Sequence, residues 1–266
     1  MKVHLHTVAW NDRRMLEFFF AHYSPWVSHF FIHDDGSDDG TNEFLAARSD
    51  VTVIPLKRIH PDSWVLSAKN IYDTSWHSSC GHSDWVVVTN IDEHLHHPDM
   101  PTYLATQHAS GVTAIAALGY QMLSEDWPES ASLLWRDRPM GAPWKQMSKL
   151  QFFRPDQINR TDFAPGRHTV ELEGNVKLPP TDEVTNLHYK YMDVALVQAR
   201  HEAQRDRLGS FDRVKGWGHK YSWDFGALDA DFETFKRALV DTRNRDHHGL
   251  HNEPRWWRKN GDNSNT

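Results

Sequence analysis

From residue 85 to residue 94 the chain reads Trp-Val-Val-Val-Thr-Asn-Ile-Asp-Glu-His: four bulky, β-favouring residues that run straight into oxygen and nitrogen donors. An apolar quartet with no polar alternation predicts a central strand covered on both faces. Such a strand needs helices above and below it, which points to an α/β fold class. Ligands of open α/β sheets bind outside the carboxyl ends of the strands, where Asn90, Asp92 and Glu93 would arrive. Oxygen donors there suit a divalent cation, which would hold phosphate oxygens in turn. Taken alone, an Asp-Glu pair reads equally well as a polar strand end and a turn.

A second acidic strand end tips that balance. Phe30, Phe31 and Ile32 form a short apolar strand, broken by Asp34-Asp35-Gly36-Ser37-Asp38-Asp39-Gly40, with Thr41 placed to cap a helix from Asn42. Clustered carboxylates repel phosphate, so Asp35 and Ser37 suit ribose hydroxyls or a base N–H, while Asp38 and Asp39 read as a solvated turn.

Around these ends strands and helices alternate. Val3 to Ala9 and Val51 to Pro55 read as strands. Asn11-Asp12 precede a helix with Met15, Leu16, Phe19 and Phe20 on one face. Residues 63–80 read as a helix, Asp99 caps another with Pro101 in its first turn, and residues 112–118 are β-rich. Residues 191–208 and 231–241 predict two later helices, the second with Phe232, Phe235, Leu239 and Val240 inward. Alternation of this kind implies a largely parallel, doubly wound sheet with right-handed crossovers. The absence of a Gly-x-Gly-x-x-Gly loop argues against a dinucleotide-binding domain.

Composition narrows the function classes. At 266 residues the chain can bury one substantial core. A mean hydropathy of -0.69 and no apolar run of spanning length predict a soluble protein. Residues 1–9 read as a first strand, not a signal peptide. The single Cys80 excludes an intrachain disulfide framework and fits a reducing, cytoplasmic setting. A net charge of -7 argues against nucleic acid as a partner.

In this order the motifs resemble the family 2-like glycosyltransferases with a GT-A fold, of the bacterial surface-polysaccharide type. The matching pieces are Trp10-Asn11-Asp12, the Asp35 to Thr41 loop, Ser67-Ala68-Lys69-Asn70, and Asn90-Ile91-Asp92-Glu93 at the Asp-x-Asp position. Downstream follow Lys149 with Phe153-Arg154-Pro155, Pro165-Gly166-Arg167-His168, Leu187-His188-Tyr189-Lys190, and Gly216-Trp217-Gly218-His219-Lys220-Tyr221. The resemblance implies a Rossmann-like, mostly parallel sheet flanked by helices, with a C-terminal helical segment. Residues 1–241 would form one domain, with a donor-binding half to about residue 98 and an acceptor or closing half from 99; residues 242–266 would be a polar tail.

It further implies transfer of a sugar from a nucleotide-diphosphate donor, UDP-linked by family habit, to a hydroxyl of a glycan or lipid-linked acceptor, assisted by Mn2+ or Mg2+. Asp92 would ligate the cation, completed by His168 or His188. Asn90 departs from the family's first acid and brings no charge. Donor contacts would come from Ala9, Asn11, Asp35, Ser37, Lys69, Asn90, Lys149, Arg154, Trp217 and His219, with Lys190 and Lys220 as further cations. Gly216 and Gly218 would let Trp217 fold over the donor. Asp126 or Glu125, after the 112–120 strand region, would take the acceptor proton, with Glu129 and Asp137 in reserve. His94, His96 and His97 read as a solvated loop. The basic and indole run Arg255 to Lys259 could touch an anionic membrane peripherally; disorder of the tail, or its packing on the domain, is the favoured reading. Two other readings compete: a degenerate carbohydrate- or nucleotide-binding module, favoured by Asn90, and a nucleotidyltransferase, disfavoured because residues 10–14 are not glycine-rich.

Overall fold

The computed structural model describes residues 1–129, 133–244, 246–251 and 253–258. Its centre is a ten-stranded sheet. One half is wholly parallel, in the order β3 (Val51–Pro55), β2 (His29–Asp34), β1 (Val3–Ala9), β4 (Trp85–Val88). Beyond β4 the path continues through antiparallel β8 (Lys149–Phe153) to β6 (Ala114–Ser124), then β7 (Met140–Pro143) and β12 (Val240–Asp241). β11 (Val184–Met192) pairs parallel with β6 and antiparallel with β5 (Glu93–His96). Thus β1, β2, β3, β4, β6, β11 and β12 run one way, and only β5, β7 and β8 run against them. β9 (Ile158–Phe163) and β10 (Val170–Gly174) form a separate hairpin. Sheet order and strand direction make this an α/β fold with a mostly parallel central sheet flanked by helices.

Helices α1 (Arg13–Tyr23), α2 (Thr41–Ala46), α3 (Trp64–Thr74) and α4 (Met100–Ala109) serve the parallel half; α5 (Leu134–Asp137) is a single turn. The later helices are α6 (Val194–Arg207), α7 (Ser210–Val214), α8 (Phe225–Lys236) and α9 (His247–Leu250). The two larger cores among the described residues share the sheet: Leu5, Phe19, Phe30, Trp85 and Val87 belong to one, and Val86, Val88, Trp76 and Phe153 to the other. Trp85 to Val88 are 0% exposed, as an apolar quartet in a doubly covered strand must be.

Several local expectations are corrected. The 63–80 helix ends at Thr74 and tightens into a 3-10 turn, Ser75–Ser79. Thr41 is no cap: Gly40, with φ 90, takes that place, and the Thr41 hydroxyl instead accepts a hydrogen bond from the Asp12 amide at 3.1 Å. The last predicted helix starts earlier and stops at Lys236, so Val240 pairs as a strand residue with Gly141. His94 is fully buried in β5, its ring stacked 4.7 Å from that of His22, because antiparallel pairing with β11 draws the segment inside. At the other end of the chain, Trp256 donates to the Ser148 carbonyl, while Trp257 and Arg258 bond Asp182 at 3.2 and 2.6 Å. That part of the tail is docked on the domain; Lys259 lies outside the described residues.

Candidate active site

β1 lies between β2 and β4, so the acidic ends of β2 and β4 sit on the same sheet edge, two strand spacings or about 10 Å apart. The β1 and β2 loops are stitched together between them. Asp34, which the sequence reading passed over, accepts from the amides of Gly36 and Ser37 (2.9 and 3.0 Å) and from the Asn42 amide group (3.0 Å). Ser37 donates to Asp34 at 2.5 Å and accepts from the Asn11 amide at 2.9 Å. Asn11, held at φ 50, exchanges two further bonds with Asp38. The polar atoms of Asn11 and Ser37 are therefore taken up in joining the two loops, and Ala9 lends its carbonyl to the Asp35 amide. Asp35 meets Arg58 and Arg207, at 2.7 and 2.6 Å, and the Arg207 guanidinium lies 3.9 Å from the Trp10 ring centre.

At the β4 end, the Asp92 carbonyl accepts from the Tyr189 amide at 2.7 Å, which joins this loop to β11. Asp92 Oδ2 and His188 Nε2 stand 3.4 Å apart. The Gln121 amide nitrogen donates to the Met122 and His188 carbonyls, so its oxygen faces His188 Nδ1, at 2.8 Å. An amide oxygen only accepts, so Nδ1 carries a hydrogen and Nε2 is the ring nitrogen that faces the carboxylate. A carboxylate oxygen and a ring nitrogen at this separation are bridged either by a hydrogen on Nε2 or by a cation between them. Donors each about 2.1 Å from one ion and at right angles to each other lie about 3 Å apart, so the pair fits a small divalent cation. Among the described residues no third His, Cys, Asp or Glu joins them. Burial opposes the charge on Asp92, but His188 and Lys190 outweigh it and hold the carboxyl below its ordinary range.

Glu93 plays a different part. Its Oε1 accepts from Lys149 (2.9 Å), Arg167 (2.8 Å) and Asn90 (2.9 Å), and Oε2 from Gln151. Glu93, Lys149 and Arg167 are all buried. Burial opposes the charge on Glu93, yet Arg167 and Lys149 reverse the shift and depress its pKa. Lys149, pushed down to about 8 by burial, also bonds the Gly166 carbonyl, so it is enclosed and does not face the crevice. Asn90 is fully engaged, accepting from the Tyr72 hydroxyl at 2.8 Å while donating to Glu93. Arg167 anchors this cluster through the Val88 carbonyl; Gly-Arg-His was legible as a motif, but not which of its side chains turns inward.

Other expected residues are placed elsewhere. His168 bonds the Gln146 carbonyl, so of the two candidate histidines only His188 meets Asp92. Lys69 is held by Asp73 and Asp162, both at 2.6 Å. Arg154 follows the end of antiparallel β8, where Phe153 faces Val86; it sits at the amino end of β4, away from the crevice. Trp217 packs on Phe211 and His219 beside Trp223, each with ring centres 6.0 Å apart. Glu125 and Asp126 lie past the end of β6, about three-quarters exposed and paired with Lys236 and Arg138. Antiparallel strands and solvent-facing turns thus take these residues from the site that the motif order suggested.

Segments of the C-terminal half pack over this sheet edge and form its roof. Arg200 on α6 donates to the Asn11 carbonyl and to Asp12 (2.5 and 2.7 Å). Lys190 has no ion pair among the described residues; its ammonium lies 5.1 Å from the Tyr221 ring centre. Burial pushes its pKa down to about 8, although Asp92 pulls the other way. α7 is locked to α3 by reciprocal capping: Asp62 accepts from the Ser210 and Phe211 amides, and Asp212 from those of Trp64 and Val65. A Cβ on Gly209 would lie 2.1 Å from the Asp62 carbonyl oxygen, so only glycine lets these helices meet so closely. The roof is therefore fastened at Gly209 to Asp212, just before the glycines from which a mobile flap was expected.

No protein-family model matches the chain, and no curated protein matches it in sequence. Solved structures similar to it include Staphylococcus TarS, S. aureus residues 1-349, at 10% identity over 78% of this chain and 69% of that one, with a TM-score of 0.38. S. aureus TarS 1-349 in complex with UDP aligns at 10% identity over 58% of this chain and 47% of that one, TM-score 0.33. Glucosyl-3-phosphoglycerate synthase from Mycobacterium tuberculosis, in complex with Mn2+, UDP and phosphoglyceric acid, aligns at 16% identity over 44% and 43%, TM-score 0.29. The chain spans less than half of the TarS chains in complex with UDP and UDP-GlcNAc.

Proposed function

We propose that this chain is a glycosyltransferase that moves a sugar from a nucleotide-diphosphate donor, UDP-linked by family habit, to a hydroxyl of a glycan or lipid-linked acceptor. One observation carries the reading: Asp92 Oδ2 and His188 Nε2 stand 3.4 Å apart, beside Lys190, which has no ion pair among the described residues, at the edge shared with Asp35. Asp92 and His188 would hold Mn2+ or Mg2+, which when bound would neutralise charge on the departing diphosphate. Lys190 would add a positive charge beside them, held in place although burial pushes its pKa down to about 8. Asp35 at the neighbouring strand end offers its carboxylate to a nucleoside, in competition with Arg58 and Arg207. The partner in the first instance is a nucleotide sugar.

The test is nucleotide release from UDP-, GDP- and CDP-linked hexoses with water as acceptor. Release by the wild type, and its loss in Asp92→Ala with the same urea midpoint, is the expected result. A wild type that releases nucleotide from none of them contradicts the proposal. A second reading, a nucleotide-binding module without turnover, is favoured by Asn90 and Asp35, both engaged by the protein's own side chains. It predicts nucleotide binding without release.

A further inference from the structure

Beside the Asp92–His188 pair lies a constellation to which no role has yet been given. β11 bulges: His188 faces Gln121 and Tyr191 faces Leu123, so three steps of β11 match two of β6. The extra residue returns Tyr191 to the sheet face used by His188. Along that face the Trp144 ring centre lies 6.0 Å from that of His188 and 5.2 Å from that of Phe235. Tyr191 reaches out to α8, where its hydroxyl donates to Asp231 Oδ2. Lys220 donates to the same oxygen at 2.8 Å, and its ammonium stands 5.5 Å from the Trp144 ring centre and 4.7 Å from that of Trp223. Both donors take Oδ2, leaving Oδ1 without a protein partner among the described residues, on a side chain that is 20% exposed. An indole wall thus runs from the proposed cation pair to a carboxylate with one oxygen available. Indole faces suit the C–H face of a sugar ring, and a carboxylate at the wall's end suits a hydroxyl.

We propose that Asp231 is the base that takes the proton of the attacking acceptor hydroxyl. The inference rests on the glycosyltransferase reading of the neighbouring site. As the hydroxyl oxygen bonds to the anomeric carbon, its proton passes to Asp231. The anomeric carbon–oxygen bond to the diphosphate breaks, and that bond's electron pair leaves with the diphosphate. Tyr191 and Lys220 hold Oδ2 and so fix the direction of Oδ1. Asp231 replaces Asp126 and Glu125 in this role, since those two point into solvent beyond the end of β6.

The experiment compares wild type, Asp231→Asn and Lys220→Met in nucleotide release from the same hexose panel, alongside calorimetric UDP binding. Asp231→Asn is expected to slow release about 100-fold or more while UDP affinity stays within about twofold, and to remove the acidic limb of the rate–pH profile. Lys220→Met, which breaks the bridge but keeps the carboxylate, is expected to lose less than about tenfold. Release by Asp231→Asn at close to the wild-type rate overturns the proposal. So does an equal loss in Lys220→Met, which would mean that the bridge alone matters. No release by the wild type overturns the parent reading together with this one.

Discussion

At the scale of single residues the decisive distinction is between Asp92 and Glu93, neighbours in sequence with opposite fates. Glu93 sits inside a closed set of donors from Lys149, Arg167, Gln151 and Asn90, whereas Asp92 turns to the crevice with His188 as its counterpart. Removing one charge from a buried cluster leaves the others uncompensated, at a cost of about 3–5 kcal/mol. Glu93→Gln should therefore lower the urea midpoint strongly, and Asp92→Asn, with its side chain partly exposed, much less; equal midpoints for the two would contradict this division of roles. Burial also holds His6 and His201 down to about 3 and His22 to about 4. The unfolded chain takes up these protons near pH 6.5 while the folded chain resists them, so stability is full above that pH and is lost as pH falls towards 4. Urea titrations at pH 7.5 and pH 5 should show the lower midpoint at pH 5; a midpoint that does not fall would contradict neutral burial of these rings.

At the scale of elements, strands were the most legible part of the sequence. Val3 to Ala9, Val51 to Pro55 and Trp85 to Val88 appear with the expected bounds: the last is an unbroken apolar run in a doubly covered strand, and the other two are short β-favouring stretches, Val51 to Pro55 at the edge of the sheet. What lay hidden was direction. Nothing local in Lys149 to Arg154 says that β8 runs antiparallel, yet that alone sends Arg154 to the far edge and buries Lys149. The bulge in β11 was equally invisible, and it decides which residues share the face of His188. Asp62 and Asp212 belong here too, since each caps the other's helix across 150 residues of chain. Loss of such a cap costs about 0.5–2 kcal/mol. Asp212→Ala should speed hydrogen exchange at the start of α3, first at Trp64 and Val65, while β1 and β4 keep their protection; uniform change across the chain would contradict a local lock.

At the scale of the whole molecule, the chain is a sheet whose one edge is shaped by β1, β2 and β4 and roofed by the segments after β11. The roof supplies Arg200, Arg207, Lys220 and Asp231, so the crevice is built from both halves of the sequence. The tail then returns to the domain, where Asp182 gathers Trp257 and Arg258. With those groups engaged inward, the protein is expected not to co-sediment with anionic vesicles, and sedimentation of the wild type but not of Trp257→Ala would contradict that docking. The central claim concerns the gap between Asp92 and His188, and calorimetry of UDP with and without Mn2+ addresses it directly. Wild type should bind UDP at least about tenfold more tightly with Mn2+, a difference of about 1.4 kcal/mol, and Asp92→Asn and His188→Gln should each abolish that gain. Binding that ignores Mn2+, or a gain that survives both substitutions, would contradict a cation site at this pair.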